Sequence, residues 1–201
     1  MANNYQKLYD DSRKLFLTFD QEEMIRHFGL RHDEERFYFH ILNRPAELDR
    51  ATGVITRDGA PIGGSPAMTI YDILSRAKDG PRLSGEWVSI TALGGNVAMS
   101  HSDKLREDRE LKPLAGRSRE LAQVCRSLGG RPMPQGDVSF VLPFTDFFPV
   151  WIQFWDEDEE FPLQLKCMWD ANTLRFMFYE TTWYLLGYLR QELVRGVEAL
   201  L

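Results

Sequence analysis

Cysteine is nearly absent: Cys125 and Cys167 are the only two in 201 residues. A single pair so far apart cannot staple a chain of this length, and neither lies in a Cys-His context, so a disulfide scaffold and a thiol nucleophile both lack a basis. Both fall on apolar faces and read as free buried thiols. Long apolar runs are missing too. No stretch approaches the ~20 residues of a membrane span. The opening MANNYQKLYDDSRKLF has no apolar core of a signal peptide, so a cytoplasmic protein is expected. Positive charge is in deficit, with 24 Lys and Arg against 30 Asp and Glu, a net charge of −6. That balance argues against nucleic acid and anionic membrane as partners, since both need a basic surface. The four histidines, His27, His32, His40 and His101, show no metal-ligand spacing. The pairs Gly63-Gly64 and Gly94-Gly95 match no phosphate-binding pattern and read as turns.

What is present is an ordinary globular balance, 43% hydrophobic and 27% charged, with 13 Phe, 7 Tyr and 5 Trp to fill a core. Tyr5, Leu8, Tyr9, Ser12, Leu15 and Phe16 recur at helical spacing and predict a first helix with one apolar face. Asp20 with Glu23 has the form of a capping box, and Gly29 is a natural stop for a second helix. Strands are expected near 37–42 and 46–56, with a turn at Asp58-Gly59. Ser65-Pro66 then opens a helix bearing Ile70, Ile73, Leu74 and Ala77, with Ser65 as the expected cap. A short strand near 87–91 follows. Residues 102–112 read as a charged, solvated helix with Asp108 and Lys112 four apart, and Leu121, Val124, Cys125 and Leu128 mark another helix that stops at Gly129-Gly130.

The last third alternates with period two near 138–142, 149–155 and 163–169, with no helix between, which predicts an antiparallel meander. A long helix from Thr181 closes the chain, with Leu186, Leu189, Leu193, Val197 and Leu200 on one stripe. The expected fold is therefore one α+β domain over 1–201, an antiparallel sheet packed with N-terminal, central and C-terminal helices.

The most unusual stretch is F-W-D-E-D-E-E-F-P, residues 154–162, with carboxylates at Asp156, Glu157, Asp158, Glu159 and Glu160. Between two strands it reads as the solvated tip of a hairpin, where charge also keeps strand edges from pairing with other chains. Oxygen-rich runs also suit Ca²⁺ or Mg²⁺, but the D-x-D-x-D-G loop is absent. If Val150, Ile152 and Phe154 face the core, Trp151 and Trp155 face outward beside the acids and form a contact patch.

L-S-G-E-W-V-S-I-T-A-L-G-G (83–95), S-L-G-G-R-P with G-D-V-S-F-V-L-P (127–143), P-V-W-I-Q-F-W-D-E-D-E-E-F-P (149–162) and the D-A-N that follows resemble the family known as domain of unknown function 3786. The resemblance covers roughly residues 5–195. It implies a setting in anaerobic bacteria and archaea and a link to anaerobic metal-cofactor metabolism. Some members of that family carry a cysteine-rich iron–sulfur segment, which this sequence lacks, and no catalytic residue carries over. Two functional expectations follow. One is a non-enzymatic binding or accessory protein that meets another protein through Trp151, Trp155, Asp156, Asp158, Glu159 and Glu160, without a cofactor. The alternative is a metal-assisted hydrolytic enzyme using the 156–160 carboxylates, a histidine and a divalent cation.

Overall fold

The computed structural model describes residues 2–94 and 109–201. Helices α1 (Ala2–Phe16) and α2 (Gln21–Phe28) come first. Asp20 caps α2, its Oδ1 accepting the amides of Glu22 at 2.9 Å and Glu23 at 3.1 Å, and Gly29 ends it in the left-handed region at φ 62°. Strands β1 (Arg31–His32), β2 (Arg36–Ile41), β3 (Arg44–Asp49), β4 (Ile55–Arg57) and β5 (Ala60–Ile62) follow as an antiparallel meander. The β4–β5 turn is the Asp58-Gly59 pair, with φ of 53° and 77°, the twist that two-residue hairpins require.

Helix α3 (Gly64–Ser75) starts two residues earlier than expected. Gly63 occupies the cap position, so Ser65 already lies within the first turn and its hydroxyl meets Tyr5 Oη at 3.0 Å instead. The strand expected at 87–91 stops early: β6 spans Trp87–Ser89 and a 3₁₀ turn takes over. The charged helix expected over 102–112, with Asp108, His101 and Gly95, lies outside the described residues except for its last few positions. Helix α4 (Ser118–Ser127) buries Leu121, Val124 and Cys125 as its spacing requires. Burial pushes the Cys125 thiol up to about 12, so it stays protonated and inert.

After the short β7 (Arg131–Pro132), β8 (Val138–Thr145), β9 (Phe148–Trp155) and β10 (Gln164–Asp170) form the meander the alternation predicts. The sheet runs β5-β4-β3-β2-β8-β9-β10-β6, antiparallel throughout, with β1 on β2 and β7 on β8. One turn, α5 (Thr173–Phe176), leads into the long α6 (Tyr179–Glu198). This α+β architecture is the expected one.

One face of β9 sends Val150, Ile152 and Phe154 into the core at 0% exposure. Its opposite face is buried as well. Trp151 is only 8% exposed, its indole N–H donates to Ser139 Oγ at 2.8 Å, and its ring meets Trp87 edge-on at 5.8 Å. The outward Trp151 of the sequence reading is therefore corrected. Alternation tells which residues share a face; it does not tell that the second face is wet. Trp155 is half-buried, with Lys166 Nζ 4.7 Å over its ring.

Gly136 shows how tightly the strands are drawn together. Its φ is 70° and an added Cβ would sit 2.5 Å from the Phe154 carbonyl oxygen, so only glycine lets the chain cross there.

Candidate functional site: a groove between three helices

Helix α3 is flanked by α1 and by the first turns of α6. The tyrosine pair Tyr9–Tyr71, with ring centroids 6.3 Å apart, and Phe16–Tyr71 at 5.2 Å hold α1 to α3, and Phe16 is fully buried. Asp72 on α3 holds α6. Its Oδ2 accepts the Phe178 amide at 2.8 Å and the Thr181 hydroxyl at 2.7 Å, which supplies from another helix the N-terminal cap that α6 lacks. Its Oδ1 accepts Arg76 Nε at 3.4 Å, and the Arg76 guanidinium lies 4.0 Å over the Phe178 ring.

Between these walls runs a groove of about 360 Å³, floored by Met68, Asp72 and Ser75 and walled by Leu8, Leu15 and Phe178. The contact of Tyr5 with Tyr184, ring centroids 6.1 Å apart, marks one end. Phe19, beneath Lys78 Nζ at 6.0 Å, marks the other. Along α3 the floor from Met68 to Ser75 is about 10 Å long, at 1.5 Å per helical residue, and Lys78 and Asp79 of the following 3₁₀ turn continue the lining. Leu15 is 58% exposed and Phe178 62%, with Leu8 at 43% and Tyr5 at 46%. Isolated exposed apolar residues are ordinary; several converging on one groove are not.

Helical spacing puts Tyr5, Leu8, Tyr9, Ser12, Leu15 and Phe16 on one apolar face. The structure divides them. Tyr9 and Phe16 turn to α3, while Tyr5, Leu8 and Leu15 are left to solvent. The signal was available: six such residues span too wide an arc for one neighbour to cover. Phe178 gave no signal, because its place depends on Asp72, a residue more than a hundred positions away.

None of the acidic residues 156–160 lines this groove. Glu157, Asp158, Glu159 and Glu160 are exposed in the β9–β10 connection, and Asp156 is half-buried. Asp156 is occupied by the fold: its carboxylate accepts the Gly116 amide at 2.9 Å and the Ser118 hydroxyl at 3.2 Å, at the start of α4. Asp158 Oδ1 accepts the amides of Glu160 at 2.8 Å and Phe161 at 2.7 Å, closing a local turn. Among the described residues no three His, Cys, Asp or Glu side chains are grouped so as to hold a metal ion.

The described histidines are also accounted for by the fold. His27 Nε2 is 2.8 Å from the Pro81 carbonyl and His32 Nδ1 is 3.1 Å from that of Leu30. His40 Nδ1 is 3.0 Å from Asp146 Oδ1, but the other oxygen of Asp146 accepts the His40 amide at 2.9 Å. That carboxylate occupies the edge of β2 between its pairing with β1 and with β8.

Two of the stretches that carry the sequence resemblance meet in a different place. Asp170, 2% exposed at the end of β10, accepts the amides of Ser84, Gly85 and Asn172 and the Ser84 hydroxyl, all within 3.0 Å. So the L-S-G-E-W segment is tied to the W-D-A-N segment by one buried carboxylate. A family profile described as Domain of unknown function (DUF3786) matches residues 20–192. The chain belongs to that family. No curated protein and no solved structure matches the chain. The part that matches DUF3786 takes in the floor of the groove, α3, and its α6 wall; α1 precedes the matched residues. No helix among the described residues is long and apolar enough to cross a membrane.

Proposed function

We propose that this member of DUF3786 is a cytoplasmic, non-catalytic binding or accessory protein, and that its contact surface is the groove between α1, α3 and α6. One observation carries the reading: Leu8, Leu15 and Phe178 stand exposed around a single groove whose walls are fixed by Asp72 and by the Tyr9 and Phe16 packing. Large apolar side chains left in water at a rigid site favour association, because covering each removes area worth ~25 cal/mol per Å². The acids at 156–160 serve the hairpin and the start of α4, which leaves them as solubilising charge.

The reading separates fold from contact. Changing Leu8 and Leu15 together to lysine is expected to leave the unfolding free energy within about 0.5 kcal/mol of the native value, as for other exposed sites. The same change is expected to abolish saturable binding of an apolar fluorescent dye. Denaturant titration and dye titration measure the two. A loss of more than about 2 kcal/mol would put these leucines in the core. Unchanged dye binding would place the accessible apolar surface elsewhere.

A further inference from the structure

The shape and charge around the groove bear on what fills it. Tyr5, Leu8, Ser12 and Leu15 are separated by three, four and three residues, the spacing of a heptad seam. The facing stripes keep similar periods: Met68, Asp72 and Ser75 on α3, and Phe178, Thr181 and Tyr184 at the start of α6. Three helices thus present one ridge each to a shared channel, which is the arrangement a fourth helix completes in a bundle.

Two further features choose among occupants. A small-molecule site encloses 70–90% of its ligand. Here the walls themselves stand open, with Leu15 58% and Phe178 62% exposed, so a small apolar molecule would cover little of them. A helix about three turns long matches the ~15 Å seam from Tyr5 to Leu15 along α1 and covers both walls at once. The second feature is charge. Asp11 precedes the seam residue Ser12 on α1, Glu180 stands one helical turn before the groove residue Tyr184 on α6, and Asp79 lines the groove. None of the three carboxylates makes an ion pair among the described residues. Arg76 is already matched by Asp72, which leaves Lys78 as the one uncompensated cation among the described lining residues. Lys7 and Lys14 fall about 130° round α1 from the seam.

Resting on the groove reading, we propose that the occupant is a single amphipathic helix of a partner protein. Its apolar stripe lies along Leu8, Leu15 and Phe178, and lysine or arginine residues flank that stripe toward Asp11 and Glu180.

The test uses two labelled peptides of about three heptads with leucine at the seam positions, one flanked by lysine and the other by glutamate. Fluorescence anisotropy with the full chain is expected to show the lysine peptide binding about tenfold or more tightly, a gap that shrinks as salt rises. Leu15→Glu is expected to weaken it by about thirtyfold, and Phe178→Ser, at an equally exposed site, by about tenfold. Asp11→Lys with Glu180→Lys is expected to reverse the preference. Equal or tighter binding of the glutamate peptide overturns the charge assignment. No binding of either peptide while the apolar dye still saturates the groove overturns the helical occupant and leaves the groove reading standing; failure of the dye as well removes that reading too. A chain that sediments as a dimer and becomes monomeric on Leu15→Glu identifies a second copy as the occupant and also overturns the proposal.

Discussion

Asp170→Ala is expected to lower the unfolding free energy by about 4 kcal/mol, the largest loss at any single side chain outside the apolar core. Asp170 is 2% exposed and accepts four hydrogen bonds, from the amides of Ser84 at 3.0 Å, Gly85 at 2.8 Å and Asn172 at 2.8 Å and from the Ser84 hydroxyl at 3.0 Å. Truncation leaves three backbone donors without a partner, each costing about 1–3 kcal/mol when buried, with the sum reduced because the segment relaxes. Asp170→Asn keeps the shape and one acceptor and is expected to fall between alanine and the native residue. Urea denaturation measures both. A loss under about 1 kcal/mol would mean that water readily replaces the carboxylate. It would also remove the structural account of the two motifs that this residue joins.

Arg57→Ala is expected to cost about 3 kcal/mol. Arg57 reaches across from β4 to α6, where its guanidinium bonds Tyr188 Oη and lies 3.3 Å from Glu192, whose side chain is 5% exposed. Without it Glu192 keeps Arg195, itself 68% exposed, at 2.7 Å. The desolvated carboxylate would then be incompletely compensated, which is worse than removing both partners. Arg57→Met with Glu192→Leu is accordingly expected to recover most of the loss. A double variant as unstable as the single one would contradict this.

The same cluster predicts a response to base. Burial, with help from the Glu192 charge, pushes the Tyr188 phenol up to about 12 from an ordinary 10.0. The folded state therefore binds that proton more tightly than the unfolded state. The associated stability, about 3 kcal/mol, is fully present below pH 10 and is lost as pH rises toward 12. Tyr71, also raised by burial, adds to the trend. Thermal unfolding followed across pH 9–12 should show this fall, and Tyr188→Phe should flatten it.

The sheet was legible because its signals are local. Period-two runs at Val138–Thr145 and Phe148–Trp155 and the Asp58-Gly59 turn each specify their own geometry. The solvated hairpin at 156–160 was legible for the same reason. What escaped was set by partners distant in sequence. Trp151 alternates like an exposed residue, but its second face is covered too. Leu8 and Leu15 have the spacing of a core stripe, and only the position of α1 relative to α3 leaves them in water. Phe178 is placed by Asp72, and Ser84 by Asp170. Capping and burial of this kind follow from tertiary contacts that no window of the sequence contains.

Two surfaces, the groove and the acidic hairpin, compete as the place where another molecule docks. A photo-crosslinking amino acid placed at Leu15, in the groove, and separately at Glu159, on the acidic tip, compares them directly in the producing cell. A discrete crosslinked partner from position 15, with none from position 159, is the predicted result. A partner captured from position 159 and nothing from position 15 would contradict it and return the contact surface to the acidic hairpin.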